Sequence, residues 1–243
     1  MARRFTGLTD TGVIRQVNQD DFYIDPKGRF FIVADGMGGH AGGQEASRIA
    51  TKIIPTYLDK LWNGPLDSES LLEQAVMQAN EGILQDQSEH PERGDMGTTV
   101  VVLMERQGKV WCGHIGDSRF YRLRAARLEQ ITDDQTWVAR AMKVGDLTPA
   151  EARVHPWRHV LSQCLGRRDL QQVEIQSVAI EPGDRLLLCS DGLTEEVTDA
   201  EIQRCLAVDA DCEQIAKSLV ETAKNNGGSD NITVVVVVED AAA

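Results

Sequence analysis

Apolar and polar positions alternate along this chain in two rhythms, and each rhythm predicts a different element. Short runs of β-branched and aromatic residues, bounded by turn residues, predict strands over 3–11, 22–24, 98–104, 109–115, 119–123, 127–131, 173–180 and 184–189. A further apolar run, FFIVA, ends at Asp35 in the glycine-rich turn DGMGG, and Asp230 opens the last strand. Helical spacing takes over at 44–61, with Ala46, Ile49, Ala50, Ile53, Ile54, Leu58 and Leu61 on one face and Pro55 expected to kink it. A second helix is predicted over 68–86 (Leu71, Leu72, Ala75, Val76, Ala79, Ile83), packed against the first, and two more over 199–206 and 212–223. Turns at Gln107-Gly108 and Ala125-Ala126 make 98–131 read as a strand meander, hence antiparallel sheet. Segment 132–166, with Trp137, Trp157, His155, His159 and several arginines, reads as short helices in a surface excursion.

Length and charge narrow the classes. The 243 residues suit one large domain or two small ones, and no linker composition divides them, so one domain over 1–243 is expected. A net charge of −13 speaks against binding to nucleic acid or an anionic membrane, which draws on a basic surface. The longest apolar candidate, 232–238, is too short to cross a bilayer, and residues 1–6 lack a signal-peptide core, so the expectation is a soluble, unexported, cytoplasmic protein. Five cysteines without a CxxC pair fit reduced thiols that fill apolar space.

Candidate chemistry enters with the aspartates. Asp20, Asp35, Asp117, Asp191 and Asp230 all sit at the ends of apolar strands beside turn residues, four of them next to glycine or within two positions of it. Each alone is an ordinary turn residue. If the strands share a sheet system the carboxylates converge, and a converged set repels itself unless cations or protons intervene. Oxygen donors without a supporting Cys or His set select Mg²⁺ or Mn²⁺ over zinc or copper, and the glycine turn offers the Gly36 carbonyl as a further ligand. Arg15 shares one short segment with Gln19, Asp20 and Asp21, which fits either a surface salt bridge or an anion-binding guanidinium. No cysteine lies in a glycine-rich loop that opens a helix, so a thiolate nucleophile is not indicated.

RQVNQD (15–20), ADGMGGH (34–40), GTT (97–99), GDSR (116–119), SDGL (190–193) and GSDNIT (228–233) follow one another as in the metal-dependent protein Ser/Thr phosphatases. Over nearly its full length the chain resembles that PPM, or type 2C, family, and most of all its compact bacterial single-domain members. The resemblance implies an α+β fold, a four-layer αββα sandwich of two antiparallel sheets with helices outside. It implies Asp35 bridging two core metals (Mg²⁺ or Mn²⁺), the Gly36 carbonyl on one of them and Asp191 and Asp230 on the other. Asp20 would act directly or through water, because Gln19 stands where many relatives have an acidic residue. Asp117 with Asp191 would hold a weaker third metal. The implied reaction is hydrolysis of phosphoserine or phosphothreonine monoesters by a metal-bridging water or hydroxide, without a phosphoenzyme. Arg15 would grip the phosphate, and His40 is the candidate to protonate the leaving alkoxide, a position near which some relatives place a histidine at Met37 instead. The other histidines (His90, His114, His155, His159) lack metal-ligand spacing and are expected in structural or surface roles. Segment 144–170 corresponds to the flap beside the active site, where Arg158, Arg167 or Arg168 would dock a phosphopeptide. The expected partner is a phosphorylated protein and the expected state a monomer. Two rival readings are a catalytically dead module that holds a phosphoprotein and an enzyme for small phosphate esters; retention of Asp35, Asp191 and Asp230 speaks against the first.

Overall fold

The computed structural model describes residues 3–39, 42–170 and 172–240. Its strands form two antiparallel sheets. One contains β1 (Arg3–Asp10), β11 (Ile232–Glu239), β10 (Arg185–Cys189), β7 (Arg119–Arg124) and β8 (Arg127–Gln130), in that order. The other contains β2 (Asp20–Ile24), β3 (Phe30–Met37), β5 (Val100–Arg106), β6 (Lys109–Ile115) and β9 (Glu174–Val178), with the two-residue β4 (Gly97–Thr98) paired to the end of β3. Helices α1 (Gly42–Leu61) and α2 (Ser68–Glu89) cover the second sheet, and α6 (Asp199–Ala207) and α7 (Cys212–Asn226) cover the first.

Both faces of the central strands are buried, which is why their sequences read as unbroken apolar runs rather than alternating ones. Along β3, Phe30, Ile32 and Ala34 point to α1 and α2, while Phe31 and Val33 point between the sheets. Along β11, Ile232, Val234, Val236 and Val238 meet α6 and α7, while Val235 and Val237 meet Phe31, Val33 and Leu186. Period-two side chains thus divide one apolar run between two cores. A fully buried Val, Leu, Ile or Phe contributes roughly 1.5–3 kcal/mol, so these strand ends are firmly held.

The four-layer αββα arrangement expected from the motifs is the one observed. Two local readings are corrected. Strand 98–104 is broken at Thr99, which turns its N–H to the Asp35 carbonyl and its hydroxyl to the Asp35 N–H. The meander over 98–131 is not one sheet: β6 pairs with β5 and β9, whereas β7 pairs with β10 and β8. The chain changes sheet at Gly116, Asp117 and Ser118. Hydrophobicity alone carries no record of that jump, because both strands bury both faces. Helix α1 runs through Pro55 as one element, and 132–166 contains the short helices α3 (Trp137–Val144) and α4 (Pro149–Val154).

Candidate active site

Four of the five aspartates reach one end of the sandwich from four different elements, and the fifth joins them from the sheet crossover. Asp20 opens β2 directly opposite Asp35 on β3. Asp191 heads the four-residue helix α5 (Asp191–Thr194) where β10 ends, and Asp230 precedes β11. Asp117 lies at the crossover from β6 to β7. Each is a place where a strand begins, ends or changes sheet and the backbone opens, so its side chain meets the others rather than the core.

Electrostatics confirm the convergence. Burial, opposed by hydrogen bonds from Ser190 and Thr233 and reinforced by the charges of Asp191 and Asp230, pushes Asp20 up to about 7. Burial, then the charges of Asp20, Asp191 and Asp117, raises Asp35 well above the carboxylate range. Asp117 is raised by burial and then by Asp191 and Asp134, and Asp191 by burial and then Asp230. The Asp35 and Asp191 carboxyls are close enough to share a hydrogen bond. Among the described residues, Asp20 Oδ1 and Asp191 Oδ1 are buried with no hydrogen-bond partner. Buried acceptors left bare are costly unless a proton or cation meets them, and an all-oxygen set of this kind fits a hard divalent cation.

Neutral side chains hold the Asp20 carboxylate and the backbone around Asp35. Ser190 Oγ donates to Asp20 Oδ2 (2.7 Å) and accepts the Thr233 N–H (3.0 Å), which locks β10 and β11 to the head of β2. Thr98 Oγ1 donates to the Asp35 carbonyl (2.8 Å), and Thr99 Oγ1 lies 2.7 Å from Ser118 Oγ. Gly36 must be glycine, since a Cβ there would stand 2.0 Å from the Gly43 carbonyl oxygen and 2.6 Å from that of Gln19.

Arg15 stands at the rim on the exposed loop between β1 and β2 and donates to Asp230 Oδ2 at 2.7 Å. Asn231 holds that loop, accepting the Gln19 N–H at Oδ1 (2.7 Å) and donating from Nδ2 to the Thr11 and Val17 carbonyls. Gln19 itself turns its amide to the Gly38 carbonyl (3.3 Å). His40 lies outside the described residues.

From the cluster a cleft of about 830 Å³ runs beneath α3 and α4, lined by Asp117 and Asp191 at one end and by Arg119, Arg153 and Arg158 along its walls. Arg119 is committed to Asp134 through Nε and a terminal nitrogen (2.8 and 2.7 Å). Of the three arginines expected to dock a phosphopeptide, Arg158 lines this cleft; Arg167 and Arg168 are exposed and are not among its lining residues. His114 is buried with Nε2 on the Asp133 carbonyl (2.9 Å), a structural placement. His159 was expected in a surface or structural role, yet it sits in the cleft wall with Nδ1 2.5 Å from Glu195 Oε1, beside Asp191. Neither His159 nor Glu195 carries a spacing signal that sequence reasoning could have used.

Known proteins share this architecture. The family profile described as protein phosphatase 2C matches residues 14–233. Protein phosphatase PhpP of Streptococcus pneumoniae is 37% identical over 234 residues, which cover 95% of each chain. The serine/threonine protein phosphatase PstP of Mycobacterium tuberculosis is 36% identical over 233 residues, 96% of this chain but 44% of PstP, so this chain spans less than half the length of that relative. The crystal structure of the PstP catalytic domain in complex with two manganese ions superposes with a TM-score of 0.83 at 33% identity, covering 97% of both chains. A profile match across most of the length, two relatives above one-third identity and a shared fold at that identity leave one assignment: the chain belongs to the protein phosphatase 2C family.

Proposed function

We propose that this chain hydrolyses phosphoserine and phosphothreonine monoesters in proteins, using Mg²⁺ or Mn²⁺ held by Asp20, Asp35, Asp117, Asp191, Asp230 and the Gly36 carbonyl. The observation that carries the reading is the pair of bare buried oxygens, Asp20 Oδ1 and Asp191 Oδ1, inside a carboxylate set whose members raise one another's pKa. Asp35, Asp191 and Asp230 would hold the core ions, and Asp117 with Asp191 would hold a weaker third. When bound, such ions would supply Lewis acidity and lower the pKa of water, so that hydroxide is available near neutral pH to attack phosphorus without an enzyme nucleophile. PstP, whose catalytic domain was crystallised with two manganese ions, supports the divalent requirement by likeness.

The protein's own groups do the positioning. Arg15, tethered by Asp230, presents its planar fork at the rim, where two phosphoryl oxygens and their growing charge would be met. Ser190 orients the Asp20 carboxylate, and Thr99 holds the Asp35 backbone through its own N–H and hydroxyl, so both residues are positioned by the protein's own groups. His40 is the assigned donor of a proton to the leaving alkoxide. Residues 144–170 act as a flap over the cleft within a single domain, and Arg158 offers a cation along the path of a bound peptide.

The deciding experiment assays a phosphothreonine peptide, free phosphoserine and an aryl phosphate with and without Mn²⁺, in the parent protein and in Asp191→Ala. Manganese-dependent activity that favours the peptide and falls at least about a thousandfold in Asp191→Ala is expected. Hydrolysis that survives chelation overturns the reading, and equal use of free phosphoserine moves the substrate from proteins to small esters.

A further inference from the structure

Apolar side chains left in water are not spread evenly over this molecule. Of the ten large hydrophobics exposed among the described residues, nine lie either on the β1–β2 loop or between Trp137 and Val160, and only Val208 lies elsewhere. These two segments border the aspartate cluster: Arg15 of the loop donates to Asp230, and Arg158 and His159 line the cleft that starts at Asp117 and Asp191. On the loop, Val13, Ile14 and Val17 are 59%, 68% and 47% exposed, and from Thr11 to Gln19 the one charged residue is Arg15. This exposure is not slack. The Val13 N–H donates to the Gly228 carbonyl (2.7 Å), Asn231 Nδ2 donates to the Thr11 and Val17 carbonyls (3.0 Å each), and a Cβ at Gly12 would stand 2.1 Å from the Asp230 carbonyl oxygen. The loop is thus fastened by its backbone to the segment that carries Asp230, and its apolar side chains stay in solvent. On the second segment, the half-exposed Trp157 and Val160 bracket Arg158 and His159, and Trp157 is braced edge-on by Trp137 at 5.0 Å between ring centroids.

We propose that these two apolar borders, with Ile14 and Val17 foremost, select the substrate: phosphoserine or phosphothreonine flanked along its chain by bulky apolar residues, a reading that rests on the phosphatase activity proposed above and deepens it. Single exposed hydrophobics are ordinary on a protein surface, but their concentration around one opening marks a surface that another molecule covers. The occupant follows from what stands between them. A phosphate gripped by Arg15 brings the residues next to the phosphorylated one within reach of Ile14 and Val17, since neighbouring Cα atoms are only about 3.8 Å apart. Apolar neighbours and these side chains leave water together. Acidic neighbours find no second cation on the loop and face a chain of net charge −13. Because the loop is already held in place, little ordering is needed when a peptide settles on it. Free phosphoserine has no flanking side chains to place there, so the preference for protein over small ester acquires a physical source.

Three phosphothreonine peptides of otherwise identical sequence, with Leu, Ser or Glu on both sides of the phosphothreonine, test this in the full chain with Mn²⁺. In the parent, kcat/KM for the Leu-flanked peptide exceeds that for the Ser-flanked one at least about tenfold, and the Glu-flanked peptide is poorer still. The double variant Ile14→Ser, Val17→Ser and the single variant Trp157→Ser each cut the Leu-to-Ser ratio at least about threefold. Each ratio is taken within one variant, so a change in folded fraction or metal content cancels. A parent ratio near one overturns the proposal, and so does a ratio unchanged in both variants. If an aryl phosphate is cleaved and no peptide is, the protein-substrate reading falls and takes this one with it; peptides cleaved without regard to their flanks defeat the apolar selection alone.

Discussion

Asp20 and Asp35 face each other as register partners across β2 and β3, two carboxylates where adjacent strands bring side chains closest. Like charges so placed are destabilising, and here Asp191, Asp117 and Asp230 add to the repulsion. The pair is tolerable only with shared protons or with cations between.

Stability without metal should therefore fall as pH rises. Asp20 has a folded value of about 7 against an ordinary 3.8, so between these the folded state holds the extra proton and each rise in pH favours unfolding. The contribution is fully present below pH 4 and lost as pH passes 7, on the order of 4 kcal/mol in total. Thermal melts in chelator should drop between pH 5 and 8, Mn²⁺ should restore the loss most at pH 8, and Asp20→Asn should flatten the slope. Melting temperatures that rise over this interval in chelator would contradict the argument.

Ser190→Ala should weaken metal binding without touching a ligand. Its hydroxyl is fully buried between Asp20 and the Thr233 N–H, so removal leaves both unpaired. Losses of about 1–3 kcal/mol in stability and roughly 10–100-fold in Mn²⁺ affinity are expected from melts and calorimetric titration. Binding as tight as in the parent would show that Asp20 is held by other means.

Gly36→Ala places a methyl 2.0 Å from the Gly43 carbonyl oxygen, a backbone atom that cannot swing aside. The start of α1 or the end of β3 must shift, at a cost of about 1–3 kcal/mol or more, and the Asp35 carboxylate moves with it. Near-complete loss of Mn²⁺ binding with a lowered melting temperature is expected; an active, fully stable variant would rule out the close approach.

Arg15→Lys keeps the charge near Asp230 but not the fork. If Arg15 grips phosphate through two oxygens, kcat/KM on a phosphopeptide should fall roughly 10–100-fold in Arg15→Lys and about as far in Arg15→Ala. Full rescue by lysine would reduce its role to a point charge.

What could be read in advance follows from how each residue is held. The aspartates were legible because each stands at one end of an apolar strand beside turn residues, and the fold was legible because two-sided burial writes long β-branched strands and helical faces into the sequence. The contacts that aim the aspartates were not. Ser190 and Asp20 are 170 residues apart, and a serine before an aspartate at a turn has no local mark of its long-range partner. Asp117 was named, but its position between two sheets depends on the jump after β6, where neither strand's pattern changes. His159 and Glu195 meet only because the segment between α4 and β9 folds back against the end of α5, so they surface only in three dimensions.

Strand β11 lies in the interior of its sheet, between β1 and β10, and carries the approach to Asp230. Without β11, the facing edges of β1 and β10 have no partner in this sheet, and the segment that places Asp230 has no anchor. One strand thus serves both as the keystone of its sheet and as the support for one of the five carboxylates, so a change that loosens its pairing reaches the site without altering any residue there.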